Sequence, residues 1–412
     1  MRIKYSKYKE EINVSDIRYV LLSKKTGDWA AVSRETKDVI DYAISEKIDI
    51  GTACSLFEDE EDYTYIMQIL DALISKSIIV EEGDVETCPV EDVTIDFTNL
   101  CNLKCIHCLV AAQRTVRKMQ LDEDSMKIII DNVVSTKPES SSISGGEPLV
   151  RDDFCDLIKY LRDRYSGELI LMTNATLIDE DMADFLSQTF NHISVSLDGV
   201  NEETCSAIRG QGTFSKAING IKLLQNAGFD NISASMVETA INTSLVPDFY
   251  ELCDQLRVRP TIQVFSPIGR GKDNQEILSI NHVEIQSENA DATSNESEKR
   301  YESAGVCTAL INSYFVDYKG DVYPCTTLAE KEFCYGNIFH IDNFKGFILD
   351  EEFKKTDGFK SFERLSPYST ERCRDCIVRF YCWHCASLHR QDRINDDYCR
   401  SMCEDYRMIW GL

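Results

Sequence analysis

Residues 99–113 read NLCNLKCIHCLVAAQ, and they place Cys101, Cys105 and Cys108 within one short loop. Three thiols at x3 and x2 spacing suit a metal claw, half a disulfide framework, or coincidence. Structural zinc sites close with four ligands, often from paired Cys-x2-Cys knuckles, and no second knuckle is near in sequence. A three-thiolate claw instead leaves one iron of a cubane cluster without a protein ligand. His107 would be a fourth donor, but its two cysteine neighbours already aim their sulfurs inward.

The sequence on either side sets the fold. DVTIDFT (92–98) reads as a strand leading into the cysteine loop. Further strands are expected at SSSIS (140–144), ELILMT (168–173), HISVSL (192–197), NISASMV (231–237) and TIQVF (261–265). Amphipathic helical stretches such as DDFCDLIKYLRDRY and FSKAINGIKLLQNAG separate them. Six β/α units at this rhythm predict an α/β fold with a parallel sheet or part of a (β/α) barrel over 91–271. Chemistry in such folds sits at the carboxyl ends of the strands. Those ends carry the cysteine loop, GGEP, TNA and LDG.

Outside this region the chain changes character. Residues 1–90 read as a β-ribbon (IRYVLLSKK and DWAAVS around a Thr-Gly-Asp turn) plus helices, a small winged-helix-like domain. Ser33 and Lys37 bracket a capped helix start. Residues 272–304 are polar and acidic and read as a linker or insertion. A cysteine-rich third domain is expected over 305–412.

The chain has 412 residues, seventeen cysteines and a net charge of −26, with a pI near 4.6 and a mean hydropathy of −0.27. Such acidity disfavours nucleic acid or an anionic membrane as partner. No apolar run approaches a membrane span, and the start lacks a secretory signal, so a cytoplasmic location is expected. In a reducing compartment so many cysteines point to metal or redox chemistry rather than disulfides. Cys54, Cys88, Cys155, Cys205 and Cys253 are scattered singly and read as buried apolar residues.

CNLKCIHC resembles the Cys-x3-Cys-x2-Cys signature of radical S-adenosylmethionine (SAM) enzymes, and SGGEP (144–148) resembles their methionine-binding motif. The resemblance implies a [4Fe–4S] cluster on Cys101, Cys105 and Cys108, with SAM on the fourth corner. Gly145 and Gly146 would let backbone approach the methionine, Glu147 would order the loop or reach the amino group, and Pro148 would stiffen the turn. TNA (173–175) and SLD (196–198) match places where family members hold ribose and methionine, here Asn174, Ser196 and Asp198. IRGQGTF offers Arg209 for the carboxylate. Strand-end capping and a surface ion pair are the plainer readings of these four. SPIGRG (266–271) resembles the glycine-bearing exit from the sixth strand, where Arg270 has a structural reading.

From Cys307 the sequence resembles the SPASM extension: Gly320-x4-Cys325, then CRDCIVRFYCWHC (373–385), then CRSMC (399–403). Cys382 to Cys385 is x2 where the family has x3. The resemblance implies two auxiliary [4Fe–4S] clusters. One would sit on Cys373, Cys376 and Cys382, completed by Cys403 or Cys399. The other would sit on Cys307, Cys325 and Cys385, with Cys334 or an open corner. Zinc ribbons are the rival reading.

Together these imply a 5′-deoxyadenosyl radical that takes hydrogen from an unactivated carbon. Residues 1–85 resemble the peptide-recognition element of ribosomal peptide natural-product pathways, which adds a leader peptide as a strand. The expected function is a peptide maturase, an oxidoreductase forming thioether or carbon–carbon links. It would be served by an electron donor such as a flavodoxin or ferredoxin. The alternative is an anaerobic sulfatase-maturing enzyme making formylglycine, against which Thr326 stands where an aspartate is common. A non-enzymatic iron–sulfur or zinc protein is the remaining class. No catalytic acid or base is assigned.

Overall fold

The computed structural model describes residues 1–54, 60–84, 86, 90–113, 120–280, 307–366, 369, 371–374, 376, 378–379, 385–389, 399–400 and 403–404. Cys88, Cys382 and residues 281–306 therefore lie outside the described residues. The chain forms two compact units, Met1–Cys88 with Glu288–Asn312 and Glu363–Leu412, and Pro89–Ser287 with Ser313–Phe362.

In the first unit β1 (Ile3–Tyr5) pairs antiparallel with β5 (Ile79–Glu81). Strands β2 (Lys9–Ser15), β3 (Arg18–Ser23) and β4 (Trp29–Ser33) form an antiparallel sheet in the order β2-β3-β4. Helices α1 (Arg34–Ser45), α2 (Ile50–Cys54) and α3 (Glu60–Ser75) follow, and Leu21, Val32, Ile40, Leu70 and Leu73 join one core. Ser33 caps α1 by accepting from the Thr36 N–H at 3.1 Å. Lys37 has a different job from the expected cap bracket, pairing with Asp41 one turn on at 2.6 Å. The sequence reading had two strands in this ribbon; β2 is a third, obscured because KEEINVS carries its charge on an edge.

Among the described residues the second unit holds a nine-stranded sheet in the order β11-β10-β9-β8-β7-β6-β12-β13-β14. Its parallel part comprises β6 (Asp92–Thr98), β7 (Ser140–Gly145), β8 (Glu168–Thr173), β9 (His192–Ser196), β10 (Ile232–Glu238) and β11 (Arg259–Val264). Helices α4 (Glu123–Ser135), α5 (Phe154–Arg162), α6 (Glu180–Thr189), α7 (Glu202–Arg209), α8 (Thr213–Asn226) and α9 (Val246–Leu256) lie between them in sequence. This is the expected α/β arrangement.

Alternation gives the sheet two faces. Ile95, Phe97, Ile143, Leu171, Val195 and Met236 are fully buried, and Phe97 meets Phe154 of α5 edge-on at 6.4 Å, so this face looks at the helices. The other face is mostly small and polar, with Asp96, Ser144, Ser194 and Ser233 at alternate positions and Ile170 and Met172 of β8 as apolar members.

From the stretch expected to open a third domain, β12 (Ser313–Val316) pairs parallel with β6, and β13 (Asp321–Tyr323) and β14 (Gly336–Asn337) continue antiparallel. These residues thus extend the barrel sheet instead of standing apart from it, and Tyr314 meets Thr136 at the end of α4 at 3.0 Å. Residues 272–278, expected as linker, fall in two short helices, α10 (Arg270–Asp273) and α11 (Gln275–Leu278), with Leu278 fully buried. Among the described residues no helix is long and apolar enough to cross a membrane.

A candidate cofactor site at the strand ends

The cysteine loop starts at a β-bulge, where the β6–β7 register shifts between Asp96 and Thr98. Bulges re-aim a strand, and here the chain turns across the end of β7. The Gly146 N–H donates to the Thr98 carbonyl at 2.7 Å and the Glu147 N–H to the Leu100 carbonyl at 2.8 Å. Cys101 N–H to Gln113 O (2.9 Å) and Gln113 N–H to Asn99 O (2.8 Å) close the base of the loop.

Both motif glycines are required by this approach. Gly145 has φ +132°, and a Cβ on either residue would overlap the Thr98 or Leu100 carbonyl. The sequence reading gave these glycines to the cofactor. In the structure they also admit the backbone of the cysteine loop.

Cys105 is buried, and Cys101 and Cys108 are half-buried. Backbone N–H groups point at two of the sulfurs, Leu103 at Cys101 (3.3 Å) and Ala112 at Cys108 (3.4 Å). Burial pushes the Cys101 thiol up to about 12. Burial also raises Cys105, where Arg209 acts in the opposite direction. A bound cation draws such thiols to thiolate, so N–H donors, an arginine and three thiols make a donor set that fits an iron–sulfur cluster. Among the described residues no three His, Cys, Asp or Glu side chains gather tightly enough for a single metal ion.

Glu147 orders the motif. Its Oε1 accepts from the Leu149 N–H (3.2 Å) and the Thr173 hydroxyl (2.7 Å), and its Oε2 from the Asn174 N–H (2.7 Å). The ends of β7 and β8 are thereby tied together. Burial pushes its carboxyl up to about 6 against those hydrogen bonds. Pro148 opens the 3-10 turn Pro148–Val150 that follows. Asn174 gives its amide N–H to Asn102 (2.9 Å) and accepts from Thr176 (2.6 Å), which links TNA directly to the cysteine loop. Ser196 ends β9 level with Ser235 of β10.

Asp198 is fully buried and joins residues far apart in sequence. Its Oδ2 lies 2.6 Å from His107 Nε2 and 2.6 Å from Arg209 Nε, and its Oδ1 accepts from the Val237 N–H at 2.8 Å. Burial alone would raise its pKa, but Arg209 and His107 hold the carboxyl well below the usual range. Burial likewise opposes the Arg209 charge, and Asp198 keeps it cationic. Arg209 is therefore no surface ion pair. It is buried, with its Nε turned to Asp198.

Three side chains brace the site; sequence reasoning gave Arg270 its structural reading and missed His107 and Arg151 as braces. His107 fastens the cysteine loop to Asp198. Arg270 donates from Nε to the Cys105 carbonyl (2.9 Å) and from Nη1 to the Ala112 carbonyl (2.7 Å). Arg151, also buried, donates to the Phe97 carbonyl at 2.9 Å and pairs with Asp153. An arginine just past the proline turn Pro148–Val150 was the available signal for Arg151.

The downstream cysteines divide between the units. Cys325 and Cys334 belong to the sheet unit, where Cys325 Sγ lies 3.1 Å from the Thr327 hydroxyl and Cys334 Sγ 3.4 Å from the Gly336 carbonyl. Cys307, Cys373, Cys376, Cys385, Cys399 and Cys403 belong to the other. There Cys376 and Cys403 bring their sulfurs within 3.9 Å.

Comparison with known proteins decides the family. Residues 95–255 match the model of the radical SAM superfamily. The chain carries a radical SAM domain. Residues 307–377 match the SPASM iron–sulfur cluster-binding domain. A radical SAM domain followed by SPASM implies a SAM-binding [4Fe–4S] cluster and auxiliary clusters in this enzyme. Among curated relatives, the mycofactocin maturase MftC of Mycolicibacterium smegmatis is 27% identical over 301 residues, spanning 69% of this chain and 74% of its own. The antilisterial bacteriocin subtilosin biosynthesis protein AlbA of Bacillus subtilis is 24% identical, spanning 92% of this chain and 86% of its own. In solved structures the radical SAM fold is shared with Streptococcus suis SuiB bound to S-adenosylmethionine, at TM-score 0.54 and 18% identity over 96% of this chain and 100% of that one. It is shared too with anSMEcpe bound to AdoMet, at TM-score 0.54 and 20% identity over 77% of this chain and 96% of that one.

Proposed function

We propose that this radical SAM enzyme matures a ribosomally made precursor peptide, installing a thioether or carbon–carbon link in an oxidation. The observation that carries the reading is the continuous kinship to AlbA over 92% of the chain, amino-terminal unit included. SuiB, whose fold is shared, has been seen bound to precursor peptide SuiA. Against the sulfatase-maturing alternative stands Thr326, which opens the turn Thr326–Leu328 and carries no carboxylate.

In this reading residues 1–90 form the leader-recognition domain, 91–271 the partial barrel and 305–412 the SPASM domain. Among the described residues β4 is an edge strand of its sheet. Beside it lies a cavity of about 410 Å³ lined by Ile17, Ala31, Val32 and Tyr65 among others. Ile17 is 71% exposed and Tyr65 49%. A leader peptide adding to β4 would satisfy the edge amides and set alternate side chains into that cavity.

Cys101, Cys105 and Cys108 would hold the SAM-binding cluster. Gly145, Gly146, Glu147 and Pro148 would shape the methionine cradle, with Asn174, Ser196, Asp198 and Arg209 around it. When bound, cluster and SAM supply a 5′-deoxyadenosyl radical. The chain's own residues orient Arg209 through Asp198 and hold the cysteine loop rigid through His107 and Arg270. Of the two candidates to complete the auxiliary cluster of Cys373, Cys376 and Cys382, the sulfur contact with Cys376 favours Cys403 over Cys399. Cys307, Cys325 and Cys385 would hold the second, with Cys334 or an open corner. A flavodoxin or ferredoxin would deliver the electron.

The test is mass spectrometry of a precursor peptide encoded beside the enzyme and coexpressed with it. Loss of two hydrogens per link supports the reading, and an unmodified peptide alongside active SAM cleavage defeats it. Tyr65→Ala and Ile17→Asp should weaken capture of the full-length precursor while sparing uncoupled SAM cleavage.

A further inference from the structure

Asp96 is 3% exposed, and among the described residues no hydrogen bond or ion pair reaches its carboxyl. Phe97, the next residue, faces the helices, so Asp96 points to the opposite, polar face of the sheet. The register sets it level with Ser144, the residue before Gly145, which is one step below the GGEP loop. On the other flank Val316 pairs with Ile95, which brings Asp317 level with Asp96.

Asp317 has a structural task. Its Oδ1 accepts from the Lys319 N–H (2.8 Å) and the Asp321 N–H (3.0 Å) and closes a turn. Asp96 has none. A carboxyl taken out of water beside a second carboxyl costs stability, and such groups gather where chemistry uses them.

We propose that the Asp96–Asp317 pair is the proton acceptor of the oxidation, with Asp96 facing substrate from the polar face beneath the GGEP loop. The proposal rests on the maturase reading insofar as the substrate loses two hydrogens. One leaves carbon as an atom and ends in 5′-deoxyadenosine. The other leaves the partner group as a proton while the new bond forms, and one electron passes to an acceptor of the iron–sulfur class. Charge balances when the Asp96–Asp317 pair begins with one negative charge and ends neutral. Burial supports that starting state, since it pushes Asp317 up to about 6 and Asp96 well above the ordinary range, with Asp317 adding to the rise in Asp96.

The experiment uses Asp96→Asn, which keeps the shape and breaks the pair by removing its substrate-facing carboxyl. The full chain, loaded with iron and sulfide, is turned over anaerobically with the precursor peptide encoded beside it. Cross-linked product, 5′-deoxyadenosine and iron per chain are measured together. Wild-type iron content is expected, with product formation down about 100-fold and the ratio of 5′-deoxyadenosine to product up at least about tenfold. Asp96→Glu should recover part of the product. Wild-type product rates, an unchanged ratio, or loss of iron from Asp96→Asn each overturn the role, the last by making Asp96 structural. If the wild-type chain cleaves SAM but modifies no peptide, the maturase reading falls and takes this role with it. Product from wild type with an unchanged ratio in the variant defeats this role alone.

Discussion

Replacing Asp198 by Asn should destabilise the barrel unit severely. The carboxylate is fully buried, 2.6 Å from both His107 and Arg209, and it also accepts the Val237 N–H at 2.8 Å. Asparagine keeps one acceptor oxygen but leaves the Arg209 guanidinium, itself only 8% exposed, without a counter-charge. Removing one partner of a buried pair costs about 3–5 kcal/mol. In a unit of this size each kcal/mol moves the midpoint by roughly 2–4 °C, so a drop of about 6–20 °C is expected. The assay is an anaerobic thermal melt of the iron-free chain, which separates folding from cluster loading. Arg209→Met should be damaging too, but the double variant should be less harmed than the sum of the two, by at least about 1.5 kcal/mol. A melt within 2 °C of wild type (about 1 kcal/mol), or simple additivity, would refute the reasoning.

Gly146→Ala should displace the cysteine loop, because the added Cβ meets the Leu100 carbonyl and backbone cannot swing aside. A stability loss of about 1–3 kcal/mol by denaturant titration and reduced iron at the first cluster are expected. Glu147, raised from 4.5 to about 6 in the folded chain, binds its proton more tightly there than when unfolded. Stability should therefore fall by about 2 kcal/mol as pH rises from about 4.5 to 6. Subtracting the pH profile of Glu147→Gln isolates this component. Cys101→Ala, Cys105→Ala or Cys108→Ala should abolish 5′-deoxyadenosine formation while leaving auxiliary iron, and retained cleavage would remove the cluster assignment.

Much of this was legible in the chain. DVTIDFT and ELILMT mark β6 and β8 residue for residue, because apolar alternation and the following loop chemistry agree there. The cysteine loop and the GGEP turn were legible as motifs, since their geometry is local. What local pattern could not show was contact at long range. His107 meets Asp198 across 91 residues, and nothing in CIHC says that its histidine serves as a brace. Strand β12 joins β6 from the far side of an acidic stretch, so a cysteine-rich segment read as separate proved partly continuous with the sheet. Strand β2 was hidden by its charges. Asp96 was visible only as a strand residue until the neighbouring strand brought Asp317 beside it.

Arg270 reaches the Cys105 carbonyl across 165 residues, and Asn274 reaches Ile106 across 168. The clasp on the cysteine loop is thus made by nearly the last part of the barrel to leave the ribosome. At about 5–20 residues per second, the three cysteines wait roughly 10–30 s for their clasp. Through that interval the loop is held from one side only, with its thiols open to oxygen and to stray metals. Iron–sulfur delivery that follows release of the whole barrel would find the loop formed. Earlier delivery would find a flexible thiol tether.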